Sequence, residues 1–405
     1  MLNNAIDEHC VRVADKSSCA IVPSQADGSS LNDFGVERFM VDGLMVSEVQ
    51  VGSYADGLAL APTGDRLYVP IRSDNDITFV DVDTNTGGFD CREPGTANFG
   101  TSHACDDDFR KIDLDFAKQH QIVWPPDPVD IVVGPVSDFE RDQADAESDD
   151  GNYIAVAHRN GAVSLLIEDE IERGANTMMV PTLVDSIVGL SPELVTLGFD
   201  TKTGNAWLPS AQVRLVERVG VAIAPTNALS FVSRLNPIVM DDLSVGDDIR
   251  QIVFDPRPDV SRVYMASRSP EALLVYDGRD IEQAKNLIAE IPVGIGTSRL
   301  QLATLPVGGV SRTLAFVTCF DSRDVHIIDV DNLQSLTAIK NVTGAFELVI
   351  DAGRQRLYVV DFRSSVVRVF DLSVLDDCYN DGIPLECAPQ ALGLLGYPEP
   401  VEELR

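Results

Sequence analysis

The sequence predicts an all-β fold of small four-stranded antiparallel sheets set radially, and three observations carry that prediction. Short strands of four to seven residues, wholly apolar or alternating, recur along the chain between Gly, Asp, Asn and Pro turns. One strand order repeats several times in the same form, with almost no helical periodicity between the copies. A four-stranded unit cannot bury both of its faces alone, so repeated units find cover by stacking on one another in a closed wheel. That architecture is a β-propeller.

The first unit sets the pattern. It runs Gly57-Leu58-Ala59-Leu60-Ala61-Pro62, turns at Thr63-Gly64-Asp65, continues as Arg66-Leu67-Tyr68-Val69-Pro70, turns at Ser73-Asp74-Asn75 and ends as Ile77-Thr78-Phe79-Val80-Asp81-Val82. The same order returns position by position between residues 348 and 372, through Leu357-Tyr358-Val359-Val360 to Val366-Val367-Arg368-Val369-Phe370-Asp371-Leu372. Weaker copies begin near Ile249 and Leu300, another spans 129–169, and the least regular covers 193–240 around Ala206-Trp207-Leu208. Segments such as 286–294 supply a fourth, outer strand. Six units are readable, and a seventh would have to come from 85–127 or 181–240. Residues 44–52 have the character of an outer strand and would complete the blade begun at Phe346, closing the ring by joining the N- and C-terminal strands.

The stretch Tyr68-Val69-Pro70-Ile71-Arg72-Ser73-Asp74-Asn75-Asp76-Ile77-Thr78-Phe79-Val80-Asp81 resembles the YVTN family of bacterial β-propeller repeats, a likeness that covers about three quarters of the chain. The resemblance implies a propeller, commonly of seven blades, and it specifies little about function. The cysteine-bearing insert after the first unit is similar to exported lipoprotein propellers. The expected organisation is an N-terminal extension over 1–38, a propeller over 39–375 with an insertion at 85–127, and a C-terminal segment over 376–405. The last part contains an apolar run, Ala391-Leu392-Gly393-Leu394-Leu395-Gly396-Tyr397-Pro398, that reads as a docking tail for a neighbouring subunit.

Charge narrows the partners. Against 64 acidic residues the chain has 31 basic ones, a formal net charge of −33, so it repels phosphate backbones and anionic headgroups; nucleic acid and charged membranes are excluded as electrostatic partners. Lys is scarce and Arg carries the positive side. The sequence contains no apolar run of transmembrane length. Met1-Leu2-Asn3-Asn4 lacks the basic start and apolar run of a signal peptide, so an exported chain would have had its signal removed or replaced, with a lipid anchor as its one membrane link.

Six of the seven cysteines fall into close pairs in turn-rich sequence: Cys10 with Cys19, Cys91 with Cys105, and Cys378 with Cys387. None shows the two-residue spacing of a zinc knuckle, so they read as three local disulfides, which implies an oxidising, extracytoplasmic compartment: periplasm, outer membrane or cell surface. Cys319 lies in an apolar strand and reads as a buried free thiol.

Chemistry is sparse. Two calcium candidates place oxygen ligands close together: Asp81, Asp83 and Asn85 before a Gly-Gly turn, and Asp377, Asn380 and Asp381 around Cys378. The competing account of the first is a strand end followed by an Asx turn. The acidic stretch 137–150 reads as a solvated loop, and the five histidines are scattered, with His158 and His326 in or beside strands. No serine-nucleophile elbow or phosphate-cradling glycine loop is present. No cofactor is implied beyond calcium. The expected function is a non-catalytic protein-binding or scaffold module, and the competing one is a metal-assisted, lactonase-like hydrolase with an acidic central channel.

Overall fold

Every residue of the strand Tyr153–His158 is buried, and alternate side chains go to different neighbours. A computed structural model shows how this arises. It describes residues 18–20, 40–42, 54–82, 89–90, 110–134, 153–173, 176–213, 215–222, 228–235, 248–278, 287–364, 366–376 and 388–395. Strands β1 (Ser18–Ala20) and β2 (Met40–Asp42) form a small antiparallel pair. Blade one comprises β3 (Ala59–Leu60), β4 (Arg66–Ile71), β5 (Asp76–Val82) and β6 (Phe89–Asp90). Blade two comprises β7 (Pro128–Gly134), β8 (Tyr153–His158), β9 (Ala162–Arg173) and β10 (Asn176–Val188). Blade three follows with β11 (Gly198–Asp200), β12 (Asn205–Pro209), β13 (Val216–Ala222) and β14 (Ala228–Leu235). Blade four has β15 (Ile249–Phe254), β16 (Arg262–Arg268), β17 (Glu271–Asp277) and β18 (Leu287–Pro292). Blade five has β19 (Thr297–Val307), β20 (Val310–Cys319), β21 (Asp324–Asp329) and β22 (Gln334–Lys340). Blade six has β23 (Ala345–Asp351), β24 (Arg356–Asp361), β25 (Val366–Asp371) and β26 (Ala391–Leu395).

These six four-stranded antiparallel sheets make a six-bladed β-propeller. The segments from which a seventh blade would have come are used otherwise: 181–235 completes blade two and builds blade three, while the described part of 85–127 supplies β6 and one short helix, α1 (Asp115–His120). A β-bulge between the third and fourth strands recurs in blades two to six and sharpens the local twist.

The chain forms two compact units, Met45–Phe254 with Ile281–Lys285, and Met1–Leu44 with Asp255–Asp280 and Asn286–Arg405. In the first, β8 explains the wholly apolar strands. Tyr153, Ala155 and Ala157 join Ala206, Leu208 and Val219 of blade three in one core cluster. Ile154 and Val156 point the other way, into a cluster with Tyr68, Ile77 and Phe79 of blade one. Successive side chains of a strand face opposite sides, so a sheet packed on both sides needs apolar residues at every position. The insertion rejoins blade one through an antiparallel bridge between Thr78 and Lys111, and α1 buries Ala117 in the same cluster. In the second unit Phe316, Val325 and Ile327 of blade five meet Leu348, Leu357 and Val359 of blade six.

The preference for Arg has a local cause. Arg66 Nε lies 2.6 Å from Asp81, Arg312 Nη1 2.8 Å from Asp329 and Arg356 Nη1 2.8 Å from Asp371, each pair linking the second and third strands of its blade. The planar guanidinium spans neighbouring strands with directed hydrogen bonds that an ammonium cannot match.

Two expectations are corrected. The outer strand of blade six is not residues 44–52, which lie outside the described residues, but β26, paired antiparallel with β25 through Val367 with Leu395 and Arg368 with Leu394. The propeller therefore runs through Leu395 and past the expected boundary at 375. The apolar run at 391–395 is part of the chain's own sheet, with Leu394 buried, rather than a free docking tail. Removing residues 388–405 should expose the edge of β25 and cost about 2 kcal/mol for the burial of Leu394 alone. Thermal unfolding of the truncated chain is expected a few degrees below that of the full chain; equal midpoints would show that β26 adds nothing.

Candidate functional site

Strand register brings three ligating side chains together in blade five. Cys319 of β20 pairs with Asp324 of β21, and Val317 pairs with His326. Residues two apart share a face, so Asp324 and His326 lie on the side of the sheet that Cys319 occupies. Their Sγ, carboxylate and imidazole atoms all fall within 4.8 Å of one another. Blade six has the same register, with Asp361 opposite Val366 and Val359 opposite Arg368. There the positions equivalent to Cys319 and His326 hold a direct ion pair, Arg368 Nε to Asp361 at 2.6 Å. Blade five replaces that pair with a thiol and an imidazole.

The cluster is enclosed. Cys319 is inaccessible to solvent, and the Asp324 side chain is 4% exposed. Asp324 accepts hydrogen bonds from Ser322 Oγ at 2.7 Å and Lys340 Nζ at 2.6 Å. A side chain at position 294 would collide with Ser322 and Asp324, which explains Gly294. His326 Nε2 stands 3.5 Å from Asp324 Oδ2, an electrostatic contact rather than a formed hydrogen bond, and both ring nitrogens are buried with no hydrogen-bond partner among the described residues. Burial and the Asp324 charge push the Cys319 thiol up to about 12, so it is a neutral thiol at pH 7. Burial draws the Asp324 carboxyl upward, but His326, Lys340 and Ser322 outweigh it and hold the group well below the usual carboxylate range.

The residue after Cys319 begins a second feature. Phe320, Phe346 and Phe362 form a cluster at one end of blades five and six, with ring centroids 5.8–6.4 Å apart. Arg363 sits over Phe320 at 4.6 Å and Arg299 over Phe346 at 5.4 Å. Arg299 also pairs with Glu347 at 2.8 Å, and Arg363 with Asp321 at 3.3 Å. Phe362 is 62% exposed. A hydrogen bond of 2.9 Å from Thr318 Oγ1 to the Phe346 carbonyl ties the two blades at this end. Neither feature stands out in any single repeat of the sequence. Alignment of the repeats offers a signal, because Phe320 and Phe362 each follow the last residue of the second strand in their blade.

The other predicted residues fare variously. Cys319 is a buried free thiol, as expected. Asp81 has both carboxylate oxygens engaged by guanidinium groups, Oδ1 by Arg66 and Oδ2 by Arg110, each at 2.6 Å, so it serves as an ion-pair hub. Asp83, Asn85, Asp377, Asn380 and Asp381 lie outside the described residues, as do Cys10, Cys91, Cys105, Cys378 and Cys387. Cys19 is described only by its backbone in β1. His158 is fully buried, its Nε2 2.9 Å from Ser164 Oγ and its ring edge-on to Trp124 at 4.7 Å.

No family model and no curated protein matches the sequence. Solved structures do resemble the fold. A protein provisionally named 6-phosphogluconolactonase from Bacteroides uniformis matches with a TM-score of 0.56 at 10% identity, over 89% of this chain and 90% of its own. A protein from Lactobacillus plantarum matches with a TM-score of 0.53 at 14% identity, over the same shares of the two chains. A protein of unknown function from Desulfotomaculum acetoxidans reaches 0.51 at 10% identity, over 83% and 88%. At such identities the likeness concerns architecture alone.

Burial pushes the His158 imidazole down to about 3. The unfolded chain then takes up a proton near pH 6.5 that the folded chain refuses until about pH 3, so this residue lowers stability progressively as pH falls through that window. Wild type should lose several kcal/mol between those limits that a His158→Gln variant keeps. Denaturant unfolding of both proteins across the window checks this, and parallel pH curves would contradict it.

Proposed function

We propose that the chain is a non-catalytic, extracytoplasmic recognition module that binds a protein partner through the Phe320, Phe346 and Phe362 end of blades five and six. The observation that supports this most is the exposed Phe362 ring resting on two further phenylalanines, with Arg299 and Arg363 stacked beside them and Asp321 and Glu347 at the rim. Aromatic and Arg side chains dominate the energetic centres of protein interfaces, and charged rims set orientation. The overall charge of −33 favours a partner whose facing rim is basic. Export rests on the three close cysteine pairs, and kinship with YVTN-type repeats on the Tyr68 to Asp81 pattern. Calcium in the turns after β5 and near Cys378, and a lipid anchor, belong to the same reading as accessory features.

A lactonase-like hydrolase has less support. His158 is sealed inside blade two with a poorly basic ring, and likeness to a protein named for lactonase activity stops at the fold.

The reading is tested by immobilising wild type, Phe362→Asp and Val310→Asp, and exposing each to surface and secreted proteins from the source organism. Val310 is an exposed residue at the other end of β20, so its substitution controls for added charge. The expected result is a protein retained by wild type and Val310→Asp and lost by about tenfold or more on Phe362→Asp. Equal retention by all three would rule out this face.

A further inference from the structure

We propose that Cys319, Asp324 and His326 bind one divalent transition-metal ion of the zinc type. The donor set points to the ion. A thiolate with an imidazole selects zinc, cobalt or a similar metal over calcium and magnesium, which take oxygen ligands, and one carboxylate completes the three protein ligands typical of an open zinc site. The spacing suits it. Metal bonds of about 2.0–2.3 Å in a tetrahedron place donor atoms roughly 3.4–3.7 Å apart. His326 Nε2 and Asp324 Oδ2 already stand at 3.5 Å, and all three donors lie within 4.8 Å of one another.

The state of His326 is a second, independent sign. Buried polar atoms nearly always have a partner, yet among the described residues neither ring nitrogen forms a hydrogen bond, and Nε2 has only its 3.5 Å contact with Asp324. The equivalent positions of blade six are closed by the Arg368–Asp361 ion pair, which shows that side chains at these positions meet. Lys340 fits as a displaceable substitute charge. Its ammonium rests on Asp324 Oδ2 while the side chain is 60% exposed, so an arriving cation can release it to solvent. Balance of charge is complete: the ion brings two positive charges, Asp324 contributes one negative, and Cys319 contributes the other by giving its proton to solvent. An ion here would brace the turn that carries Phe320, directly beside the exposed phenylalanine cluster.

The test is a cobalt titration of the full chain purified without reductant. Wild type should develop thiolate-to-cobalt charge-transfer absorption that saturates near one equivalent. Cys319→Ser should lose the band, His326→Gln should bind about tenfold or more weakly, and Lys340→Met should bind more tightly because the competing ammonium is gone. Circular dichroism establishes that each variant is folded. Lys340→Met, a change at an exposed side chain, decides the matter should either ligand variant fail to fold. Absence of the band in wild type, an equal band in folded Cys319→Ser, or unchanged affinity in Lys340→Met would overturn the proposal.

Discussion

The structure depends on burial of both faces of a blade, which blade two shows most plainly. In β8 neighbouring side chains serve different interfaces: Ile154 and Val156 pack toward blade one, and Tyr153 and Ala155 toward blade three. A sheet with one open face would alternate apolar and polar residues; β8 does not alternate, and Ala162, Val163, Leu165 and Leu166 of β9 repeat the pattern. In blades one, five and six, arginines of the second strand reach across to aspartates of the third, and further arginines pair between neighbouring blades, as Arg66 with Glu168 and Arg299 with Glu347.

This arrangement decides where chemistry can sit. Interiors committed to packing leave the turns between second and third strands free to vary, and blade five uses that freedom. Cys319, Asp324 and His326 flank its turn, Phe320 lies within it, and blade six presents Phe362 at the matching place. The thiol lies deep and protonated while the phenylalanines reach solvent, so the two features divide into an inner cluster and an outer contact surface.

Much of the fold was legible because packing on two sides writes itself into short runs of residues. Leu67-Tyr68-Val69 and Leu357-Tyr358-Val359 announce equivalent strands, and six such units correspond to the six blades. The outer strand of the last blade was misassigned because outer strands are half exposed and weakly patterned: residues 44–52 and 391–395 look equally suitable, and only pairing with β25 separates them. The candidate site was hidden for a different reason. Cys319, Asp324 and His326 fit no metal-binding spacing motif, since their proximity comes from antiparallel register across a tight turn rather than from periodicity along one element. The local window around Asp81 could not reveal that Arg110, 29 residues on and within the insertion, engages one of its oxygens.

Two-sided burial is most directly tested by the unfolding free energies of Ile154→Ala and Leu165→Ala, which remove side chains from opposite faces of blade two. Each should destabilise the chain by about 2–5 kcal/mol, the cost of a cavity in a packed interior. A near-zero change for either one would mean that its face is open to solvent, and would contradict burial of both faces as the basis of the fold.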